Sequence, residues 1–173
     1  MTISLSSWAN IDEEFLNLAK LANVKVISFG IESVNEEVLL FYKKNIGLQS
    51  AKKLVQYANN IGIYTVGNFI IGAPMETPET IKETFMFIRD CGFDKINIKT
   101  LNYMQGSELY MTLPLELQNT TFLFACKENG LNSFSLQELT RIKNDFVKTY
   151  NEERRKTLKQ KIKKYGTPYE LDF

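Results

Sequence analysis

Histidine is absent from the 173 residues, and that absence removes a large share of ordinary enzymology. Ser-His-Asp and Cys-His nucleophile systems are excluded, as are zinc sites built on imidazole. Any catalysis must use carboxylates, lysines, tyrosines or a bound cofactor. Cysteine is almost as scarce. Cys91 and Cys126 are the only two, and they form neither a disulfide nor a metal-binding spacing. Both read as ordinary buried thiols, and a reducing, cytoplasmic setting is the default. No apolar run approaches the length that spans a bilayer. The opening MTISLSSWANIDEEF has no basic segment ahead of an apolar one, so it does not read as a secretory signal.

What remains is the composition of a globular domain with a real core, 44% hydrophobic and 24% charged. The net charge of +1 is unevenly spread. Residues 141–165 carry ten lysines and arginines against three acids, so the rest of the chain is acidic. Such a run reads first as a solvated helix face, because it lacks aromatic platforms on which bases could stack. RNA contact through this basic tail is the alternative.

Apolar patterning alternates between two periods. Thr2–Ser6 reads as a strand, and Asn10 with Glu13 as the capping box of a helix whose apolar face is Ile11, Phe15, Leu18 and Ala22. Val24–Phe29 is the next strand, followed by a helix Glu36–Lys44 capped by Asn35 and a helix Leu48–Asn60 stopped by Gly62. Ile63–Ile71 is so apolar that it predicts a strand covered on both faces. Thr77-Pro78-Glu79 then opens a helix to Asp90, and Lys95–Leu101 alternates as a further strand. Strand and helix in strict alternation predict right-handed βαβ units and a parallel sheet.

Beyond Tyr110 the rhythm changes. A short strand at Thr121–Ala125 and an Asn129-Gly130 turn precede a second capping box, Ser135 with Glu138. A long helix to about Tyr165 follows, with Leu139, Ile142, Phe146 and Tyr150 on its buried face and Lys161 on the exposed one. The expected division is therefore an α/β part over residues 1–112 and a helical extension over 113–173.

Three loops leave strand C-terminal ends: Gly30-Ile31-Glu32-Ser33, Gly72-Ala73-Pro74-Met75-Glu76-Thr77 and Gln105-Gly106-Ser107-Glu108-Leu109-Tyr110. In a curved parallel sheet such loops converge on one mouth, where ligands bind. A carboxylate such as Glu32 accepts two hydrogen bonds from a diol, and an ammonium such as Lys44 offsets a ligand carboxylate. The alternative for Glu32 and Glu76 is that each caps the helix that follows.

In order and at these spacings, VISFGIES, the Val38-Leu39…Lys44 helix, NIGIYTVGNFIIGAPMETPETIKET and QGSELY resemble the radical SAM (S-adenosylmethionine) superfamily, its cobalamin-associated and methylthiotransferase-like branches most of all. The resemblance covers about residues 1–112. It implies the last four strands of a partial parallel (β/α) barrel, with SAM and a [4Fe–4S] cluster at the mouth. The implied reaction is reductive cleavage of SAM to a 5′-deoxyadenosyl radical. Cofactor-binding residues implied by it are Glu32 with Ser33 at the ribose, Lys44 at the SAM carboxylate, and Gly72, Ala73, Pro74 and Glu76 near the adenine. It names no catalytic residue. The family's CxxxCxxC loop of cluster thiolates has no counterpart in this sequence. With Ile3 placed in the third strand, two βα units are expected to be missing. The chain is then expected to need a partner supplying them, or to self-associate through the open edge of the sheet. A non-catalytic half-barrel binding a nucleotide or a protein is the competing expectation.

Overall fold

The computed structural model describes residues 3–7 and 11–168. Four parallel strands lie side by side in chain order: β1 (Ile3–Ser7), β2 (Val24–Glu32), β3 (Tyr64–Ile71) and β4 (Lys95–Thr100). The crossovers are α1 (Glu13–Leu21), then α2 (Glu36–Phe41) with α3 (Leu48–Asn60), then α4 (Pro78–Cys91). The predicted alternation of elements is thus the observed architecture. A short antiparallel pair, β5 (Asn102–Met104) with β6 (Phe122–Phe124), follows the sheet, and the thirty-residue α5 (Leu136–Tyr165) closes the chain.

Local chemistry accounts for the boundaries. Thr77 Oγ1 accepts from the Thr80 N–H, and Thr80 Oγ1 accepts from the Thr77 N–H, a reciprocal cap on α4. Gly92 ends that helix with φ 69°, a conformation that costs a residue with a Cβ. Ser135 and Glu138 form the predicted capping box at the start of α5. For α1 the predicted cap, Asn10, lies outside the described residues. Asp12 does the capping, accepting from Phe15 N at 2.8 Å.

The face predicted for α1 needs correction. Leu16 and Ala19 point into the core, whereas Phe15 and Leu18 are exposed. Both sets are apolar and both fit a helical period, so periodicity alone had no means of choosing between them.

The two faces of the sheet are covered differently. Phe29 and Ile31 of β2, Phe69 and Ile71 of β3, and Ile96 and Ile98 of β4 join the main core with the helices and with Leu139, Phe146 and Tyr150 of α5. Phe146 stacks on Phe85 of α4, ring centroids 3.8 Å apart. On the opposite face, Val26, Tyr64 and Val66 pack against Leu158 and Ile162 from the far half of α5. That helix therefore crosses the sheet edge and plugs the lower part of the inner face. Only the first half of β3 is buried on both sides. From Asn68 upward, inner-face residues are half-exposed.

A buried carboxylate fastens this crossing. Asp94 Oδ2 accepts from Thr65 N at 2.9 Å and from Lys161 Nζ at 2.5 Å. Lys161 also donates to Asn59 Oδ1 at 2.7 Å and Ile63 O at 2.8 Å. Arg154 donates to the carbonyls of Gly92 and Phe93, and Tyr150 to that of Phe93. Lys161 is therefore not the exposed charge that its place in a basic run suggested: its side chain is 9% exposed and that of Asp94 1%.

Two stability measurements follow. Phe146→Ala is expected to cost about 3–5 kcal/mol in urea unfolding, as for other buried aromatics. Lys161→Ala leaves buried Asp94 with the Thr65 N–H and Arg154 at 3.7 Å, and is expected to cost about 3 kcal/mol, where an exposed lysine would cost almost nothing.

Candidate functional site

The C-terminal end of β2 holds one of three non-glycine residues with positive φ among the described residues, the others being Asn23 and Lys43. Glu32 has φ 69°, in the left-handed region that residues with a Cβ avoid. The β2–β3 register shifts between Gly30 and Glu32, so the ladder bulges at this point. Ser33 N donates to Ile31 O at 2.9 Å, closing a tight turn about Glu32. Ser33 is fully buried, and its hydroxyl accepts from Asn35 N at 3.2 Å. Asn35 in turn caps α2, accepting from Val38 N. Glu32 is therefore not a helix cap. Its conformation costs on the order of 1–3 kcal/mol and persists because the packing around it is fixed.

The carboxylate so presented meets Lys44, Nζ to Oε1 3.5 Å, both side chains largely but not wholly covered. Burial raises the Glu32 pKa, opposed first by Lys44 and more weakly by Lys99. Strand alternation puts Lys99 on the inner face of β4. Sequence reading brought Glu32 and Lys44 together. It missed Lys99, whose signal was the polar alternation Lys95, Asn97, Lys99 within KINIKT.

The loop from β3 to α4 is closed on itself. Glu76, 2% exposed, receives the N–H groups of both Gly72 and Ala73 on Oε2, the latter at 2.8 Å. Thr77 is the cap of α4, so Glu76 caps no helix. Asn132 Nδ2 donates to Ala73 O at 2.6 Å. Gly72 has φ 99°, and a Cβ there would stand 3.1 Å from Leu139 Cδ1 and 3.4 Å from Ala125 O. The protein's own chain thus occupies the space that this glycine leaves. Pro74 is the exposed residue of the turn.

Of the four buried side-chain atoms without hydrogen-bond partners among the described residues, Asp94 Oδ1 lies at the lower end of the sheet and the other three, Tyr42 Oη, Glu76 Oε1 and Thr100 Oγ1, near this one. Burial raises the Glu76 pKa against the pull of its two N–H donors, and it raises that of Tyr42, with Glu76 and Glu32 adding to the effect. The upper end of the sheet thus offers a paired carboxylate and ammonium at its rim. Such a set suits a small zwitterion or a nucleoside.

The two cysteines lie elsewhere. Cys91 ends α4 and is buried, its thiol pushed up to about 12 by burial. Cys126 is buried after β6, where Asn129 Nδ2 approaches its Sγ at 3.3 Å. Among the described residues no group of three or more cysteines and acids is placed to hold a metal ion. None of the described helices is long and apolar enough to cross a membrane.

The profile of the Radical SAM superfamily matches residues 1–88. An uncharacterised methyltransferase of Pyrococcus horikoshii is 29% identical over 99 residues, which cover 57% of this chain and 22% of the relative. The cytidylyl-2-hydroxyethylphosphonate methyltransferase of Streptomyces wedmorensis is 30% identical over 106 residues, 57% of this chain and 20% of the relative. This chain therefore matches about a fifth of the length of these curated relatives. Coproporphyrinogen III oxidase of Escherichia coli, a radical SAM enzyme, superposes with a TM-score of 0.65 at 16% identity, covering 87% of this chain and 32% of that one.

The carboxylate shifts set a pH dependence. A raised carboxyl pKa means that the folded chain binds more protons than the unfolded one, so the stability tied to it is full below the ordinary carboxyl pKa of 4.5 and falls as pH rises through the raised folded value. Glu76→Gln removes one such group. The wild type is expected to lose stability relative to the variant as pH rises above 4.5, read as the gap between their urea midpoints.

Proposed function

Because this chain belongs to the radical SAM superfamily, we propose that it supplies the SAM-holding side of a radical SAM active site. The strained Glu32 carries this reading. A protein keeps such a conformation where the side chain must point at something, and this one sits at the C-terminal end of a parallel strand, where such sheets take ligands. Glu32 would accept from the ribose hydroxyls, with Ser33 fixing the turn beneath it. Lys44 would offset the carboxylate of the amino-acid moiety. Gly72, Ala73 and Pro74 would form a wall beside the adenine, held in shape by Glu76.

The family uses SAM together with a [4Fe–4S] cluster, and the two fit this chain unequally. The rim carboxylate and the ammonium suit SAM. Two separated, buried thiols do not suit a cluster, which needs closely grouped thiolates. The chemistry that the family draws from SAM is a 5′-deoxyadenosyl radical. This chain's own residues would bind and orient the nucleoside and exclude water from it. Methyl transfer, as in the names of the relatives, is one outcome open to such a site. The thiolates would come from another segment or another chain, one that also extends the sheet beyond β1.

Calorimetry with S-adenosylhomocysteine tests the assignment. Glu32→Gly is expected to weaken binding roughly tenfold or more, from the lost charged hydrogen bonds. The same substitution should leave stability unchanged or raise it by about 1 kcal/mol, since glycine adopts this φ without strain. Lost stability with unchanged affinity would make Glu32 a structural residue. Anaerobic iron and sulfide reconstitution of the chain alone should leave it without a stoichiometric four-iron cluster.

A further inference from the structure

The sheet ends at β4, which has β3 on one side and, among the described residues, no strand on the other. Half the backbone N–H and C=O groups of such an edge point away from its neighbour. Leu101 N donates to Ile71 O just past the ladder. A parallel ladder engages alternate residues, so Asn97 and Lys99 bond β3, and Ile96 and Ile98 turn their backbone groups outward.

Helix α5 comes back along this edge but stands off from it. A cavity of about 600 Å³ separates Lys95 and Ile96 of the strand from Val147, Arg155, Leu158 and Lys159 of the helix. A second, of about 540 Å³, separates residues 96–99 from Lys143, Val147 and Lys148. The two share Ile96 and Val147 and so form one groove along β4. Val147, Leu158 and Ile162 give it a half-buried apolar wall. Cations surround that wall: Lys95, Lys99, Lys143, Lys148, Arg155 and Lys159. Of the two acids beside the groove, Asp94 is held by Lys161 and Arg154, which leaves Glu152.

These features fit a polypeptide strand. The outward backbone of β4 offers ladder hydrogen bonds, the apolar wall takes alternate side chains, and the cations select acids. Lysines on a sheet edge ordinarily ward off further strands. Here they narrow the partner to an acidic one. RNA is the other polyanion, but no aromatic side chain lines the groove for bases to stack on. A strand edge also offers nothing that a phosphate backbone pairs with in register.

We propose that the groove between β4 and α5 docks an extended segment of a partner polypeptide, with acids alternating with aliphatic residues, as a fifth strand of the sheet. This docking is independent of SAM, because the groove borders the side of β4 whereas Glu32 lies at the end of β2.

The test is fluorescence anisotropy of the full chain with a fluorescein-labelled octapeptide of alternating glutamate and valine. Saturable binding is expected, with slowed hydrogen exchange at the Ile96 and Ile98 amides. Arg155→Glu combined with Lys159→Glu, both exposed, should weaken the peptide about tenfold or more and leave S-adenosylhomocysteine affinity unchanged. Two further peptides, methylated on the nitrogen of every valine or of every glutamate, probe the wild type and so depend on no variant folding. A docked strand pairs through one edge, so one of these should lose binding and the other keep it. Equal binding by both, or by an all-glutamate octapeptide, would overturn strand docking in favour of plain charge attraction. An octauridylate that binds more tightly and protects the same amides would make the groove a nucleic-acid site. A dimer in sedimentation with Ile96 and Ile98 already protected would make its occupant a second copy of this chain. Absence of peptide binding would overturn the proposal outright.

Discussion

The carboxylate of Asp94 is the point on which the rest of this structure depends. It sits at the start of β4, accepts the N–H of Thr65 at the start of β3, and receives Lys161 from the last turns of α5. One buried anion therefore joins two neighbouring strands to a helix some seventy positions later in the chain. An ion pair this deep adds little stability over a well-packed apolar substitute, because desolvation offsets most of the attraction. Its value is in placement. With Lys161 bound there, Leu158 and Ile162 must lie on Val26, Tyr64 and Val66. The lower inner face of the sheet is thereby filled with protein.

That filling decides where a ligand can go. β3 is buried on both sides below, and from Asn68 upward its inner-face residues are half-exposed. Glu32, Lys44 and Lys99 then meet at the rim through elements far apart in sequence: a bulged strand end, the turn after α2, and the edge strand β4. The rim carboxyl is held with a raised pKa by burial, and its two lysines counter the rise. On the proposed reading, the Glu32–Lys44 pair meets the ligand with its charges already oriented and partly dry.

Family membership and cysteine content pull in different directions. The superfamily match and the parallel sheet identify the family and the fold, whereas the closely grouped thiolates that a [4Fe–4S] cluster needs occur nowhere in this sequence. The proposal of a SAM-holding side completed by thiolates from another segment or chain reconciles the two. The strand ends and loops that it assigns to SAM fold with the sheet.

Much of the fold was legible in the residues. The strand–helix alternation, the Asn35, Thr77 and Ser135 caps, the glycine stops and the buried face of α5 all depend on local steric and hydrogen-bonding rules, which act over a few residues and leave their mark in sequence. Glu32 and Lys44 were also legible, through loop position and resemblance. Three features were decided by tertiary structure alone. The buried side of α1 depended on which of two apolar stripes met the sheet. Lys161, one cation among many in its run, became buried because α5 crosses the sheet edge just where Asp94 waits. The groove beside β4 exists only because that strand ends the sheet and α5 stands off from it, and strand order is a relation between strands that no strand carries by itself.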